Sequence, residues 1–214
     1  MNSYTFTFCG TLCRALPTGA LWLPEAGTLC VSDLHLGKSD RIARRSGVML
    51  PPYEVQETLD KLAGDIGATA PAQVICLGDS FDDLAAVDSL DDAMRLRLTS
   101  LQAGRKWVWI EGNHDPGPVD LGGSHLAQLQ VGALTFRHIA TSAAAEVSGH
   151  YHPKHRLAGR SRPAFVVDAA RLVMPAYGAY TGGLDCMSPV IRQLFGPRAF
   201  AILTGHKALA VPLA

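Results

Sequence analysis

The sequence predicts an α/β fold in which two β-sheets pack together with helices outside. Between residues 4 and 112, short apolar segments alternate with segments of helical periodicity. After Pro118, short apolar segments follow one another with only turns between them. Alternating strands and helices are typical of a buried, largely parallel sheet, whereas consecutive strands are typical of hairpin pairs. We therefore expect both arrangements within a single domain, residues 1–214.

The first-half strands are expected where β-branched, aromatic and aliphatic residues lie between Gly and Pro. They cover segments 4–8, 20–23, 28–32, 73–78 and 106–112. A helix is expected over residues 51–67, because two prolines open it and apolar residues recur at helical spacing from Val55 to Ile66. A second helix is expected across roughly 83–101.

The second half is expected to be built from strands joined by turns. These strands cover segments 126–132, 133–139, 164–170, 171–177, 198–205 and 207–213. Gly205 and His206 are typical of a two-residue hairpin loop between the last two strands. Segment 116–123 is rich in Pro and Gly and is expected to form a loop.

Composition indicates a folded globule and excludes several classes of protein. Hydrophobic residues make up 48% and charged residues 18% of the 214 residues, which excludes a disordered chain. Nineteen basic residues balance nineteen acidic ones, so the net charge does not by itself indicate a nucleic-acid or membrane partner. No signal peptide and no apolar segment of about 20 residues is recognisable. Five cysteines without a CxxC pair favour a reducing, cytoplasmic location.

Four of the expected strands, and a further short strand expected at "AEVSG" (145–149), lead directly into side chains that can bind a metal ion. These side chains are Asp33, His35, Asp79, Asn113, His114, His138, His150 and His152. In α/β sheets, functional groups collect beyond the carboxyl ends of the strands, where the loops leave a crevice. We therefore expect these residues to converge although they are far apart in the sequence.

Such a cluster is costly unless positive charge lies within it, because carboxylates repel one another and buried imidazoles lose solvation. Two Asp, one Asn and four or five of the His give at least seven ligands, which exceed the need of one four-coordinate ion with an open position but suit two ions about 3.5–4 Å apart that share a carboxylate. In an extended segment residues two apart point the same way, so His150 and His152 could each serve one ion.

The motifs "DLH", "GDSFD", "GNHD", a single His and "GHYH" occur in this order over residues 33–152. They resemble the five motifs of the calcineurin-like binuclear metallophosphoesterases. This resemblance implies a four-layer α/β/β/α sandwich and a phosphodiesterase that depends on two metal ions. The segments "DLHLGK", "GHYHP" and "MPAYGAYTGG" further resemble the PdeM-type endonucleases of the ligase-associated DNA damage response, which are related to SbcD-type repair nucleases. The SbcD-like group commonly has His where this chain has Asp82.

The resemblance also implies roles for individual residues. The first ion would be held by Asp33, His35 and His152, the second by Asn113, His138 and His150, and Asp79 would bridge them. A hydroxide between the metals would attack phosphorus in line with the leaving oxygen. His114 would stabilise the transition state or protonate the leaving alkoxide, and Asp82 would orient the His114 imidazole.

Other histidines and one aspartate have simpler interpretations. His125 is the rival of His138 for the single-His motif, but His138 ends an alternating strand and His125 lies in a Gly-rich segment. His155 and His206 are expected at the surface, and Asp115 before a proline is expected to form only a turn.

Two basic groups flank the motifs and are candidates for contact with a phosphodiester backbone. Lys38, Arg41, Arg44 and Arg45 follow the first motif, and Lys154, Arg156, Arg160 and Arg162 follow the last. The alternative is a solvated helix face and a polar loop. Tyr177 and Tyr180 could stack on unpaired bases or pack against the sheet.

Manganese is the expected metal, and the N and O ligand set is also compatible with iron, zinc or nickel. The resemblance implies DNA, in single-stranded form, as substrate and a repair ligase, helicase or exonuclease as partners, and it leaves a homodimer open. No membrane partner is expected. One alternative function is a phosphatase or diesterase for small nucleotides, which zero net charge favours. A non-catalytic protein-binding scaffold is disfavoured, because every motif position carries a competent ligand.

Overall fold

The computed structural model describes residues 2–49, 51 and 53–213, in which two mixed β-sheets pack against each other. The first sheet contains, in spatial order, β1 (Tyr4–Phe8), β2 (Thr11–Ala15), β3 (Leu21–Leu23), β4 (Thr28–Val31), β5 (Gln73–Leu77), β6 (Lys106–Ile110) and β7 (Ser124–Leu126). The second contains β8 (Gln128–Val131), β9 (Leu134–Arg137), β10 (Glu146–Ser148), β11 (Lys154–Leu157), β12 (Arg160–Val167), β13 (Arg171–Val173), β14 (Phe200–Leu203) and β15 (Leu209–Pro212). Its spatial order is β15-β14-β12-β13-β10-β9-β8, and β11 pairs with β12.

Each sheet has a parallel portion, and these portions carry the predicted motifs. In the first sheet β4, β5, β6 and β7 are parallel neighbours. In the second sheet β10 is parallel to both β9 and β13. The carboxyl ends of parallel strands lie at one edge of a sheet, so each sheet presents its motif loops along a single edge.

The helices are α1 (Lys38–Ser46), α2 (Glu54–Thr69), α3 (Leu84–Ser89), α4 (Asp92–Gln102) and α5 (Pro189–Arg192). The single helix expected across 83–101 is in fact two, α3 and α4. Side chains of Asp83 and Asp91 accept hydrogen bonds from Ala86 N and Met94 N, so each Asp begins a new helix. Among the described helices, none is both long and apolar enough to cross a lipid bilayer.

Alternation along the strands separates two cores on the two faces of the first sheet. On β5, Val74 and Cys76 pack with the apolar residues of α2 and α4, whereas Ile75 and Leu77 pack between the sheets. A third apolar cluster joins the outer face of β12 and β14 to Ile191 of α5. Two mixed sheets flanked by helices are thus confirmed, with a fourth layer that contains only the short α5 among the described helices.

The last hairpin differs from the prediction in its loop. β14 and β15 pair antiparallel with Leu203 opposite Leu209, which leaves a loop over 204–208 rather than two residues. Loop residues bond outside the hairpin, because Thr204 N donates to Pro163 O and Gly205 N donates to Pro17 O. These contacts draw the loop away from a tight turn.

Candidate metal centre

The predicted ligands converge where the parallel strands of both sheets end. Two sets of possible ligand atoms are found there, and within each set all atoms lie within 4.8 Å of one another. The first ligand group is Asp33, His35 and His152. The second set of atoms is Asp79, His138 and His150, of which we call His138 and His150 the second ligand group, because Asp79 also faces the first group. His35, Asp82 and His114 form a third such set, which shares His35 with the first group.

The first ligand group is centred on the fully buried carboxylate of Asp33. Asp33 Oδ1 lies 3.0 Å from His152 Nε2, and His152 Nε2 lies 3.3 Å from His35 Nε2. Ser32 Oγ donates to Asp33 Oδ2 at 2.5 Å, and the main-chain N of His150 donates to the same oxygen at 3.1 Å. These bonds fix the carboxylate with Oδ1 towards the imidazoles.

The second ligand group is centred on His138, which is 4% exposed. Its Nε2 lies 3.3 Å from Asp79 Oδ2 and 3.0 Å from Asn113 Oδ1, so Asn113 belongs beside this group. His138 Nδ1 donates to Leu77 O at 3.1 Å. That bond places the proton on Nδ1 and leaves the Nε2 lone pair for a ligand, as outer hydrogen bonds commonly do for metal-binding histidines.

Asp79 lies between the two ligand groups. Its Oδ2 is 3.3 Å from His138 Nε2 in the second group and 4.0 Å from His35 Nε2 in the first. Its other oxygen, Oδ1, accepts the main-chain N–H of His114 at 2.8 Å. This is the position that a carboxylate shared by two ions would occupy.

Burial and charge within the centre favour an ionised Asp79 and a neutral His150, the states that ligands need, but they do not favour a neutral His138. Burial alone would raise the pKa of Asp79, but the hydrogen bond and charge of His138 lower it to about 2. Burial and the neighbouring charge of His138 lower the pKa of His150, which favours its neutral form. Burial would lower the pKa of His138, but its hydrogen bond to Asp79 and the charge of Asp33 raise it.

The donor set fits two divalent cations. Asp33 and Asp79 are 0% and 2% exposed, so two carboxylates lie close together with little solvent to screen them. In addition, His35 Nε2 and His152 Nε2 lie 3.3 Å apart. If both nitrogens carry a lone pair, the two lone pairs repel each other unless a cation or a proton lies between them. Imidazole, carboxylate and amide donors together match the ligand preferences of manganese, iron, zinc and nickel.

Backbone strain is concentrated at the same residues. Positive φ angles of 53°, 46° and 46° occur at Asp33, His35 and Asp79, and of 69° and 45° at His150 and His152. A non-glycine residue held in this region costs about 1–3 kcal/mol, and such residues cluster at functional sites. The neighbouring loops stabilise these conformations.

The motif "GHYH" is therefore not extended, contrary to the prediction from residue spacing. The chain turns at Tyr151, whose N–H donates to Gly149 O at 2.8 Å. His152 nevertheless joins the first ligand group and His150 the second. The expected division between the two groups is present, but left-handed turns produce it.

Two glycines are required by close contacts between motif loops. A methyl group at Gly78 would overlap the His138 imidazole, and one at Gly149 would overlap Ser32 Oγ and Asp33 Oδ2. His35 N also donates to Asp79 O at 2.9 Å, which joins the first two motif loops. The glycines of "GDSFD" and "GHYH" thus let the loops approach closely enough to assemble the centre.

The expected contact between the Asp82 carboxylate and the His114 imidazole is wrong. His114 Nδ1 donates instead to the main-chain carbonyl of Asp82 at 2.8 Å. Asp82 Oδ1 lies 2.8 Å from His35 Nδ1, and Oδ2 accepts from Arg41 at 2.8 Å. Burial would raise the pKa of Asp82, but His35, Arg41 and Lys38 hold it well below its usual range. The Asp82 carboxylate therefore orients His35 through one oxygen, and Arg41 of α1 binds its other oxygen.

The structure places His138, and not its rival His125, in the cluster. The His125 ring stacks on Trp109 with centroids 6.3 Å apart, and its Nε2 lies 3.2 Å from Val119 O. It lies outside all three sets of ligand atoms. Of the other two histidines, His206 is exposed and His155 is partly buried on β11.

Asp115 does more than form a turn, contrary to the prediction. It is 7% exposed, and its Oδ2 accepts the main-chain N–H groups of Ser80 and Phe81 at 2.8 and 3.1 Å. Its Oδ1 accepts from Gly112 N at 3.1 Å. Burial and the charge of Asp79 raise the pKa of Asp115 to about 6. Asp115, the last residue of "GNHD", therefore joins the second motif loop to the third.

Tyr177 cannot stack on a base, because it is fully buried. Its hydroxyl donates to Asp65 Oδ2 at 2.8 Å, and Lys61 Nζ lies 3.9 Å from its ring centroid. Its main-chain N–H donates to Ser32 O at 2.7 Å, next to the first ligand group. Tyr177 thus supports the first motif loop from α2, whereas Tyr180 is 44% exposed and remains accessible.

We expect Tyr177→Phe to lower the free energy of unfolding by about 1–2 kcal/mol, because the Asp65 carboxylate loses a buried hydrogen-bond donor. Urea denaturation followed by circular dichroism measures this change. Tyr180→Phe is the matched control, and its hydroxyl is expected to contribute nothing measurable. Equal unfolding free energies for both variants would contradict the role assigned to Tyr177.

The two basic groups differ in how their charges are compensated. On α1, Arg41 Nη1 lies 2.8 Å and Lys38 Nζ 3.7 Å from Asp82, and Arg44 pairs with Asp40 and Asp83. Arg45 is exposed and has no acidic partner among the described residues. The second group, Lys154, Arg156, Arg160 and Arg162, lies on the β11–β12 hairpin and makes no ion pair within the described part of the chain. We call this element the basic hairpin.

The fold and the centre define a class of protein, the metal-dependent phosphoesterases. Residues 28–207 match the family described as calcineurin-like phosphoesterase, and the chain belongs to that family. The family uses a dinuclear metal centre, and the two ligand groups are its candidate ligands here.

A solved structure of high overall similarity has the same fold. The chain is similar to the nuclease MPE of Pseudomonas putida, with a TM-score of 0.78 and 24% identity over 99% of this chain and 100% of that one. It is also aligned with a predicted phosphoesterase of Streptococcus pneumoniae, with a TM-score of 0.33 and 15% identity over 86% of this chain and 96% of that one. No curated protein matches the sequence.

Proposed function

We propose that the protein is a phosphodiesterase that cleaves DNA, an endonuclease of the PdeM type, and that it uses two divalent ions with manganese preferred. The position of Asp79 between the two ligand groups carries the proposal, since a shared carboxylate is the hallmark of a dinuclear centre. Residues 1–214 would act as one domain, because both sheets supply ligands. The Pseudomonas putida protein of the same fold is a nuclease, which supports a nucleic-acid substrate.

Each ligand group would hold one ion. Asp33, His35 and His152 would bind the first, Asn113, His138 and His150 the second, and Asp79 both. Two ions bound there would make water more acidic and stabilise the charge on a phosphoryl group under attack. The buried carboxylates and the outer hydrogen bonds of the histidines keep these ligands oriented before a substrate arrives.

His114 is placed to exchange a proton with the leaving oxygen. Its Nδ1 donates to Asp82 O at 2.8 Å, which turns Nε2 towards the centre, 4.0 Å from Asp79 Oδ2. The side chain is 29% exposed, so substrate can reach it. A protonated Nε2 at this position would donate to the departing alkoxide.

The basic hairpin supports a polynucleotide substrate. Lys154 begins it two residues after His152, and its four-residue first strand advances roughly 3.4 Å per residue away from the centre. Across the hairpin, His155 lies opposite Arg162, and Arg156 and Arg160 are exposed. The basic side chains of the hairpin make no ion pair among the described residues, so an anionic backbone laid along it would meet positive charge that is not already neutralised.

The second candidate is a phosphatase or diesterase for small nucleotides. The ion pairs that neutralise Lys38, Arg41 and Arg44 favour it, because they leave α1 with little free charge for a long backbone. A panel of single-stranded DNA, duplex DNA, cyclic nucleotides and nucleoside monophosphates with manganese distinguishes the two candidates. Endonucleolytic cleavage of single-stranded DNA is expected; turnover of the small nucleotides alone would contradict the nuclease proposal.

We expect DNA cleavage at low substrate concentration to depend strongly on salt. With about three phosphates neutralised on single-stranded DNA, the rate should fall roughly ten- to twentyfold between 50 and 200 mM salt. Hydrolysis of a small chromogenic diester in the same buffers measures the salt response of the centre itself, and should change by less than about twofold.

Variants assign this salt response to the basic hairpin. Arg156→Gln with Arg160→Gln should flatten the dependence on DNA, whereas Arg97→Gln, an exposed arginine of α4, serves as the control. An unchanged slope in the hairpin double variant would contradict the assignment.

A further inference from the structure

A cleft of about 380 Å³ opens beside the second ligand group, away from the first. Asn113 and His138 are among its lining residues. Pro116, Ala127, Arg137 and Ile139 also line it. No residue of this cleft outside the ligand group has a role in the chemistry described above.

We infer that this cleft binds the nucleobase of a nucleoside attached to the phosphate under attack, an inference that rests on the proposed function. The volume is near the lower end of the ~300–1,000 Å³ of small-ligand sites, which suits one nucleoside and excludes a stacked duplex. Because Asn113 and His138 belong to both the cleft and the candidate metal centre, a group in the cleft is adjacent to the scissile phosphate.

A single arginine in the cleft is held in a fixed orientation. Arg137 Nε lies 3.0 Å from Glu146 Oε1, and its Nη2 donates to Gln128 Oε1. Glu146 is fully buried and is itself fixed by Thr141, whose N and Oγ1 donate to it at 2.8 and 2.6 Å. The Arg137 side chain remains 26% exposed, so an ordered, planar guanidinium is available to the cleft.

These contacts favour a base over a second phosphate. The charge of Arg137 is already balanced by buried Glu146, so little net positive charge is left to bind another anion. A planar guanidinium can still stack on a base or donate to acceptors on its edge. Ile139 is 44% exposed, and Pro116 and Ala127 are also exposed, so the walls offer apolar surface that a base would cover.

The test compares four nitrophenyl diesters that share one leaving group. They are thymidine 5′- and 3′-(p-nitrophenyl phosphate) and the two matching compounds with hydrogen in place of the base. With manganese, the base should raise kcat/KM about tenfold in at least one of the two pairs, mainly through KM. Calorimetric binding of thymidine 5′-methylphosphonate and its base-free counterpart should show a similar ratio of Kd without turnover.

Variants of the lining residues then test whether the base preference comes from this cleft. Ile139→Ser should bring both ratios close to one, and Arg137→Lys, which keeps a charge for Glu146 but loses the planar group, should reduce them. Val190→Ser is the matched control, because Val190 is 45% exposed on α5 and lies outside the cleft. Its ratios should equal those of the wild type.

Three negative results have different meanings. Turnover of all four diesters with equal kcat/KM within both pairs would overturn the base subsite and leave the phosphodiesterase proposal standing. Base preference that survives unchanged in Ile139→Ser and Arg137→Lys would also overturn it. Absence of turnover for all four would overturn the proposed function and this inference with it.

Discussion

Asp79→Ala is expected to abolish phosphodiester hydrolysis, with a loss of at least about 10³-fold in kcat/KM. Asp79 is the carboxylate that approaches both ligand groups, with Oδ2 at 3.3 Å from His138 Nε2 and 4.0 Å from His35 Nε2. Its Oδ1 also holds the third motif loop through the His114 N–H. Removing it would therefore disturb both candidate metal positions at once.

Hydrolysis of a small chromogenic diester with manganese measures this loss without any contribution from DNA binding. Asp88→Ala, which removes an exposed carboxylate on α3, is the matched control and should keep full activity. Far-ultraviolet circular dichroism confirms that both variants fold. Residual activity above about one tenth of wild type in Asp79→Ala would contradict a bridging role.

His114→Ala is expected to lower kcat by about 10²- to 10⁴-fold on diesters with a poor leaving group. The His114 imidazole is 29% exposed, and it belongs to neither ligand group. Its Nδ1 is bound to Asp82 O, and its Nε2 faces the centre. A nitrophenolate leaving group needs little protonation, so hydrolysis of nitrophenyl diesters should fall much less.

Elemental analysis of His114→Ala should find the metal content of the wild type, since the ligands are intact. His206→Ala, an exposed histidine in the last hairpin loop, is the control for both measurements. Loss of metal in parallel with activity, or equal losses on good and poor leaving groups, would contradict the proton-transfer role.

The position of the site could be predicted because it depends on the backbone path. Each predicted ligand follows an apolar strand, and parallel strands bring their carboxyl ends to one edge whatever the details of packing. The two sheets were predicted separately, from the order of the apolar segments, and the division of His150 and His152 between two groups was predicted from their spacing. The extended geometry proposed for these two histidines was wrong, because positive φ angles leave no mark in residue spacing.

Side-chain partners could not be predicted, because they depend on how separate elements pack. Asp82 contacts Arg41 of α1, and α1 could not be predicted from apolar spacing because Ile42 is its only large apolar residue. Tyr177 is buried, and its hydroxyl donates a hydrogen bond to Asp65, 112 residues earlier on α2. In each case the partner is distant in sequence, and only the assembled structure shows the contact.

The central claim is that two divalent ions bind between the two ligand groups, with Asp79 shared. Anomalous diffraction from a crystal of the manganese-loaded protein tests this most directly. The account predicts two peaks about 3.5–4 Å apart, one beside Asp33, His35 and His152 and the other beside Asn113, His138 and His150, with Asp79 in contact with both. No anomalous density at these side chains, or a single ion that does not touch Asp79, would contradict it.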